Sequence, residues 1–330
     1  MTNEKKIEGQ VVKSQSGFFD VCLPLSPLSP EGGEKEVLPP SGEGFRKGAL
    51  ITCELRGRLK QGARKEDLVA VGDRVRITLL PEGTGMIEEV LPRTRAIVRM
   101  DPRPRGVYKQ ILLANPDQAL FVFACARPRP RLRMLDRFLV IAEQQKIPAI
   151  IVANKVDLVE EEEAKKLFGH YAEIGYPVLY TSAEEKSGIE NLRAALKGKL
   201  SALAGPSGVG KSSLMNAMQP GLGLMVEEIS DSLDRGKHTT NYRQLLPLND
   251  GGYVADTPGW KSLALWDTEP EELDGYFPDI APLVAQCRFS DCSHVHEPGC
   301  AVLDALHSGK LHQQRFESFL RMRDGLSNRR

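Results

Sequence analysis

Residues 205–212 read Gly-Pro-Ser-Gly-Val-Gly-Lys-Ser, and no other stretch narrows the possible folds of this chain so far. The spacing fits G-x-x-x-x-G-K-[ST]. An apolar run, 200–204, reads as a strand entering it, and 213–218 reads as the helix leaving it. In that context the glycines let the backbone wrap round phosphate groups. Successive N–H groups turn inward, and the helix start adds positive potential. Lys211 is placed to neutralise the outer phosphates, and Ser212 offers a hydroxyl to Mg²⁺. The candidate phosphate contacts are Gly205, Pro206, Ser207, Gly208, Val209, Gly210, Lys211, Ser212 and Ser213.

Such a loop belongs at the C-terminal end of a strand in an α/β sheet, and the flanking sequence alternates accordingly. Strands are expected at 118–125, 148–153, 177–180 and 200–204, with helices at 132–146, 160–174 and 189–196. In the first helix Leu132, Leu135, Phe138, Leu139 and Ala142 share one face. Residues 242–248 and 252–255 read as a strand pair.

Asn154-Lys155-Val156-Asp157 follows the apolar strand ending at Ala153. A carboxylate is an acceptor only, so Asp157 suits the adjacent ring N–H and 2-amino donors of guanine. Adenine lacks that pair and would leave the carboxylate unpaired, which is costly. The Lys155 stem can cover the base, and Asn154 can tie this loop to the phosphate loop. Thr181-Ser182-Ala183 ends another strand, where a backbone N–H of Ser182 or Ala183 can meet the guanine oxygen. N-K-x-D therefore argues against an ATPase or small-molecule kinase.

Asp256-Thr257-Pro258-Gly259 is D-x-x-G after a strand. Asp256 would hold Mg²⁺ through water, and the Gly259 N–H would sense the γ-phosphate. Many GTPases follow this glycine with a glutamine that positions the attacking water. Here the residue is Trp260, so slow intrinsic hydrolysis and another water-positioning group are expected. The segment Arg235-Gly-Lys-His238-Thr239-Thr240 lies where a first switch belongs. Thr240 or Thr239 is the candidate second Mg²⁺ ligand, and His238 the candidate for orienting water.

The motif order is a cyclic shift of the usual one, with N-K-x-D before the phosphate loop. Its mechanical consequence is that the second switch runs straight into residues 271–330.

That last segment carries Cys287-x₄-Cys292-x-His294-x₅-Cys300, with His296 as an alternative imidazole. Three thiolates and one imidazole complete a tetrahedral set with no open position, as structural Zn²⁺ requires. A unit of this size has little core of its own, so metal would supply folding energy.

Upstream, 9–21, 50–56, 67–71, 74–79 and 85–91 read as short strands, which suits a small barrel of the OB type. Residues 23–44, with five prolines, read as a long loop. The net charge is zero, yet 93–133 holds ten basic and two acidic residues, and 46–76 nine and four. Local basic surface of this kind is the footprint of a phosphate backbone. The charged N-terminus is not a secretory signal, and the apolar run 119–126 is too short to span a membrane. A cytoplasmic protein is expected, with its six cysteines as thiols or metal ligands.

Taken together these motifs, with Ala114-Asn115-Pro116-Asp117 and Leu135-Asp136-Arg137-Phe138-Leu139, resemble the ribosome-small-subunit-dependent GTPase family (RsgA, also called YjeQ) over about 7–320. The resemblance implies an α/β P-loop GTPase domain, circularly permuted, with an N-terminal OB-type β-barrel and a C-terminal zinc-binding, mostly helical domain. Boundaries are expected at 1–97, 98–270 and 271–330. It implies a GTP-hydrolysing late maturation factor for the small (30S) subunit that binds 16S rRNA near the decoding region, with hydrolysis stimulated by the subunit. A cytoplasmic monomer is expected, with GTP or GDP bound and neither DNA nor membrane as partner. It assigns Zn²⁺ to Cys287, Cys292, His294 and Cys300 and a catalytic role to His238, while Ser212 and Thr240 are the Mg²⁺ candidates from the motifs. The competing reading is an RNA-binding module that uses GTP as a conformational label without significant turnover. The proline-rich insert 23–44 departs from the family pattern.

Overall fold

The structure, a computed structural model, describes residues 6–24, 48–60, 66–103, 106–223, 243–256, 263 and 268–327. It divides into two compact units, each drawn from separated stretches: 1–119, 189–204 and 211–262 in the first, 120–188, 205–210 and 263–330 in the second. Among the described residues no helix is long and apolar enough to cross a membrane.

The first unit opens with β1 (Lys6–Gln15), β2 (Phe18–Cys22), β3 (Leu50–Leu55), β4 (Arg74–Leu79) and β5 (Gly85–Val90). Their order is β1-β2-β3-β5-β4, and β4 returns to pair with β1, closing an OB-like barrel that leaves no free edge among these strands. Alternate residues point inward, and Val11, Val21, Cys53, Val75, Ile77 and Ile87 are fully buried. Burial, helped by Asp20, pushes the Cys53 thiol up to about 12, so it behaves as an apolar core residue.

Two expectations about this barrel are corrected. Residues 9–21 form a hairpin rather than one strand, because Ser16 (φ 51°) and Gly17 (φ 88°) both take positive φ and make a tight two-residue turn. Residues 67–71 are not a strand. Their neighbourhood is pinned by carboxylates instead: Asp67 accepts from Tyr108 Oη and the Ile111 N–H, both at 2.8 Å. The fully buried Asp73 accepts the Ala70 N–H at 2.7 Å and two Arg93 nitrogens at 2.8 Å. A long hairpin, β6 (Ala96–Arg103) and β7 (Gly106–Ala114), follows and was not anticipated.

In the same unit, β11 (Leu200–Ala204) pairs in parallel with β14 (Tyr253–Asp256), and β13 (Leu246–Pro247) adds antiparallel to β14. Helix α3 (Ile189–Leu196) packs on α4 (Lys211–Met218). The expected strand at 242–248 is divided. Its first part, β12 (Arg243–Gln244), leaves the β11–β14 sheet and pairs with β1 of the barrel, Lys13 opposite Gln244.

The second unit carries most of β8 (Gln118–Ala124), then β9 (Ala149–Asn154) and β10 (Val178–Thr181), ordered β10-β9-β8. Helix α1 (Leu132–Gln144) buries Leu135, Phe138, Leu139 and Ala142 of the face read from its periodicity, while Leu132, at its first turn, is only half-buried. Helix α2 (Glu161–Glu173) follows β9, with three glutamates in its first turn complementing the helix dipole. Beyond β14 come a 3₁₀ helix at Pro270–Tyr276 and helices α5 (Ala281–Val284), α6 (Ala301–His307) and α7 (Gln313–Ser327).

Helix α7 packs on α1 around a buried ionic cluster that sequence reading did not find. Arg315 donates to Asp136 Oδ1 at 2.8 Å and grips Asp279 with two nitrogens at 2.7 and 3.1 Å. Its guanidinium lies 4.6 Å above the Phe277 ring. Burial alone would pull Arg315 down, but the hydrogen bonds and charges of Asp279 and Asp136 more than offset it, and the group stays charged. Asp136 also accepts from Tyr171 Oη at 2.8 Å.

Beside this cluster His170 stacks on His312, centroids 4.0 Å apart. Burial, then His312 and Arg315, push His170 down to about 4 from 6.5. The unfolded chain therefore binds more protons than the folded one between those values, so stability is retained above 6.5 and lost as pH falls toward 4. The unfolding free energy of a His170→Asn variant is expected to fall less steeply across that window than that of the parent, as read by urea titration at a series of pH values.

Candidate functional site

Three of the sequence motifs converge in the second unit through one side chain. Asn154, at the end of β9 and 1 % exposed, donates from Nδ2 to the Val209 carbonyl of the phosphate loop at 2.8 Å. Its Oδ1 accepts from the Thr181 hydroxyl at 3.2 Å, at the end of β10. Thr181 had no role in the sequence reading. The signal for it was available, because a buried asparagine carbonyl needs a donor and Thr181 ends the neighbouring strand.

Lys155 takes a left-handed conformation (φ 62°). Its Nζ donates to the Gly208 carbonyl at 2.7 Å and to the Arg127 carbonyl. The phosphate loop, N-K-x-D and the turn after β8 are thus laced together by one asparagine and one lysine. Asp157 stands on a 3₁₀ turn, Val156–Leu158, half-buried, and its carboxylate has no hydrogen-bond partner among the described residues. Cys125, whose N–H donates to the Asn154 carbonyl at 2.8 Å, has its thiol raised to about 11 by burial, then by Glu163 and Asp157. It stays protonated and is no nucleophile.

In the loop, Val209 is buried and anchors the turn, while Ser207 and Gly208 are exposed. Gly210 has φ +94°, and a Cβ there would lie 2.5 Å from Asn154 Nδ2. Only glycine lets the backbone reach the asparagine that ties the motifs together. Lys211, Ser212 and Ser213 follow as the first turn of α4. The backbone of Asp256 lies beside Leu203 in the β11–β14 register, which brings the start of D-x-x-G level with the end of β11. His238, Thr239, Thr240, Gly259 and Trp260 lie outside the described residues, as does the side chain of Asp256.

Near the C-terminus, Cys287, Cys292, His294 and Cys300 place their ligand atoms within 4.8 Å of one another and could hold a metal ion. His294 is buried and His296 exposed, so the choice between the two imidazoles falls to His294. Burial, then the neighbouring Cys300 and Cys287, pushes the Cys292 thiol up to about 12. Three sulfurs and one imidazole gathered this closely are the donor set a divalent metal fits.

N-K-x-D after β9, a phosphate loop after β11 and D-x-x-G after β14, in that permuted chain order, define a circularly permuted GTPase with a barrel and a Cys₃His cluster attached. The chain belongs to the RsgA GTPase family, whose model matches residues 90–266. It is 46 % identical over 301 residues to the small ribosomal subunit biogenesis GTPase RsgA of Gemmatimonas aurantiaca, covering 90 % of this chain and 95 % of that one. The protein of the same name from Thermotoga petrophila is 43 % identical over 286 residues, 86 % and 91 % of the two chains. Among solved structures, YjeQ from Thermotoga maritima superposes with a TM-score of 0.76 at 36 % identity, covering 99 % of this chain and all of that one. YloQ, described as a circularly permuted GTPase, gives 0.71 at 29 % identity, covering 100 % and 98 %.

Proposed function

We propose that this protein is a GTP hydrolase acting in late maturation of the small (30S) ribosomal subunit, binding 16S rRNA and leaving on hydrolysis that the subunit stimulates. The observation that carries the nucleotide half is the Asn154 tie, which brings N-K-x-D, the β10 turn and the phosphate loop to one place. The ribosomal half follows from the relatives' names and from the OB-like barrel.

Guanine is recognised by Asp157, with the Lys155 stem along the base. The Ser182 N–H is already donated to the Ser187 carbonyl at 3.1 Å, so the Ala183 N–H takes the guanine oxygen. Residues 205–213 hold the phosphates, Gly259 senses the last of them, and Ser212 and Thr240 hold Mg²⁺, which balances the phosphate charge. Cys287, Cys292, His294 and Cys300 hold one structural Zn²⁺ that supplies folding energy to the C-terminal helices.

A pull transmitted from the second switch meets resistance, because Asp279, downstream of it, is clamped by Arg315 to α1. This favours a switch that waits for a ribosomal partner, in keeping with Trp260 where a glutamine might stand.

The test is phosphate release with and without purified small subunits. Stimulation is expected, and absence of turnover in both conditions would leave only a GTP-gated RNA-binding module. His238→Ala is expected to lower stimulated turnover by roughly 100-fold, the low end for a group that handles protons in the transition state. GTP affinity should be unchanged; unaltered turnover would move the water-positioning role elsewhere, to RNA for example.

A further inference from the structure

The metal ligands account for one face of the His294 ring and leave the other unexplained. Nδ1 points at the thiols, 3.4 Å from Cys300 Sγ and 3.6 Å from Cys287 Sγ. Nε2 points away from them, is buried, and has no hydrogen-bond partner. The carboxylate facing it belongs to Asp274, whose Oδ2 lies 3.5 Å away. The ring has little freedom to turn elsewhere. It is 2 % exposed and sits 6.1 Å from the Phe319 ring.

The backbone is held as firmly. His294 takes φ +60°, a conformation that a non-glycine residue adopts only when its surroundings enforce it. The enforcement comes from Glu297. Its carboxylate accepts the N–H groups of Ser293 at 2.9 Å, Val295 at 3.0 Å and His296 at 3.1 Å. It also accepts the Ser293 hydroxyl, the hydrogen bond that does most to hold it well below the usual carboxylate range. The loop is thus folded round an internal anion, and the imidazole leaves it in one direction.

A metal-binding imidazole must present a lone pair on one nitrogen and carry its proton on the other, and the partner of that proton selects the tautomer. We propose that Asp274 is the positioning residue of the metal centre, accepting the Nε2–H of His294 so that Nδ1 binds the metal. The inference rests on the metal assignment made above. Asp274 stands on the 3₁₀ helix Pro270–Tyr276, outside the Cys/His loop and downstream of D-x-x-G in the chain. The centre therefore draws its orienting group from the segment that connects it to the second switch.

The test uses the full chain loaded with Zn²⁺. Long-range ¹H–¹⁵N correlation of the imidazoles is expected to find His294 protonated on Nε2 and metallated on Nδ1. Metal on Nε2 would overturn the proposal without any variant. Competition against a chromophoric chelator is expected to show Zn²⁺ affinity falling about 10- to 100-fold in Asp274→Leu. Asp274→Asn, whose carbonyl still accepts the proton, should retain most of it. Equal losses in the two variants, or none, would also overturn the proposal. Should Asp274→Leu fail to fold, the asparagine variant and the parent spectrum decide. A parent chain that folds without binding Zn²⁺ would instead defeat the metal assignment itself.

Discussion

Replacing Arg315 by methionine is expected to cost the folded chain about 3–5 kcal/mol, read as a lower urea midpoint at unchanged slope. The guanidinium side chain is 1 % exposed and the carboxylates it neutralises, Asp136 and Asp279, are 0 % and 5 % exposed. Forming the cluster brings a modest net gain, because three charges are taken out of water. Removing only the cation is different, for it strands two carboxylates, both at most 5 % exposed, without their guanidinium partner. The same logic supplies the control. Arg315→Met combined with Asp136→Asn and Asp279→Asn should recover much of the loss, since no unpaired charge is then buried and the amide oxygen at position 136 can still accept from Tyr171. Failure of the single variant to destabilise would mean the cluster is hydrated and the C-terminal helices are not locked to α1.

The second large effect is on specificity. Asp157→Asn is expected to weaken GTP binding by about 3 kcal/mol, roughly 100-fold, as two hydrogen bonds to a charged acceptor are lost and an amide N–H₂ faces the guanine donors. Xanthine carries an oxygen where guanine has its 2-amino group, so the same variant should bind xanthosine triphosphate better than GTP. Titration with both nucleotides checks it, and an unchanged GTP affinity would remove Asp157 from the base site. The site residues around it keep their contacts, because Asn154 and Lys155 are tied to main-chain carbonyls that the substitution does not touch.

The motif chemistry could be read in advance because each motif is local. Gly208 and Gly210 need positive φ wherever the loop is, and N-K-x-D carries its acceptor within four residues. Helix α1 was readable because Leu135, Phe138, Leu139 and Ala142 recur at helical spacing. The barrel was readable only as a type. Its first two strands looked like one, since Ser16 and Gly17 make a turn too short to interrupt the apolar pattern. The segment at 67–71 has strand-like composition, but its polar groups are met by side chains from distant residues.

What the sequence by itself determined is the chemistry: a phosphate loop, a guanine acceptor and a Cys₃His set, each encoded in residue type and short spacing. What only the tertiary structure decided is which distant groups complete them. Thr181 holds Asn154, Asp274 faces His294, and Arg315 joins α7 to Asp136, at separations that no local pattern reports. The reason is physical. A backbone turn is dictated by the residues in it, whereas a buried polar atom is satisfied by whichever group the whole fold brings within reach.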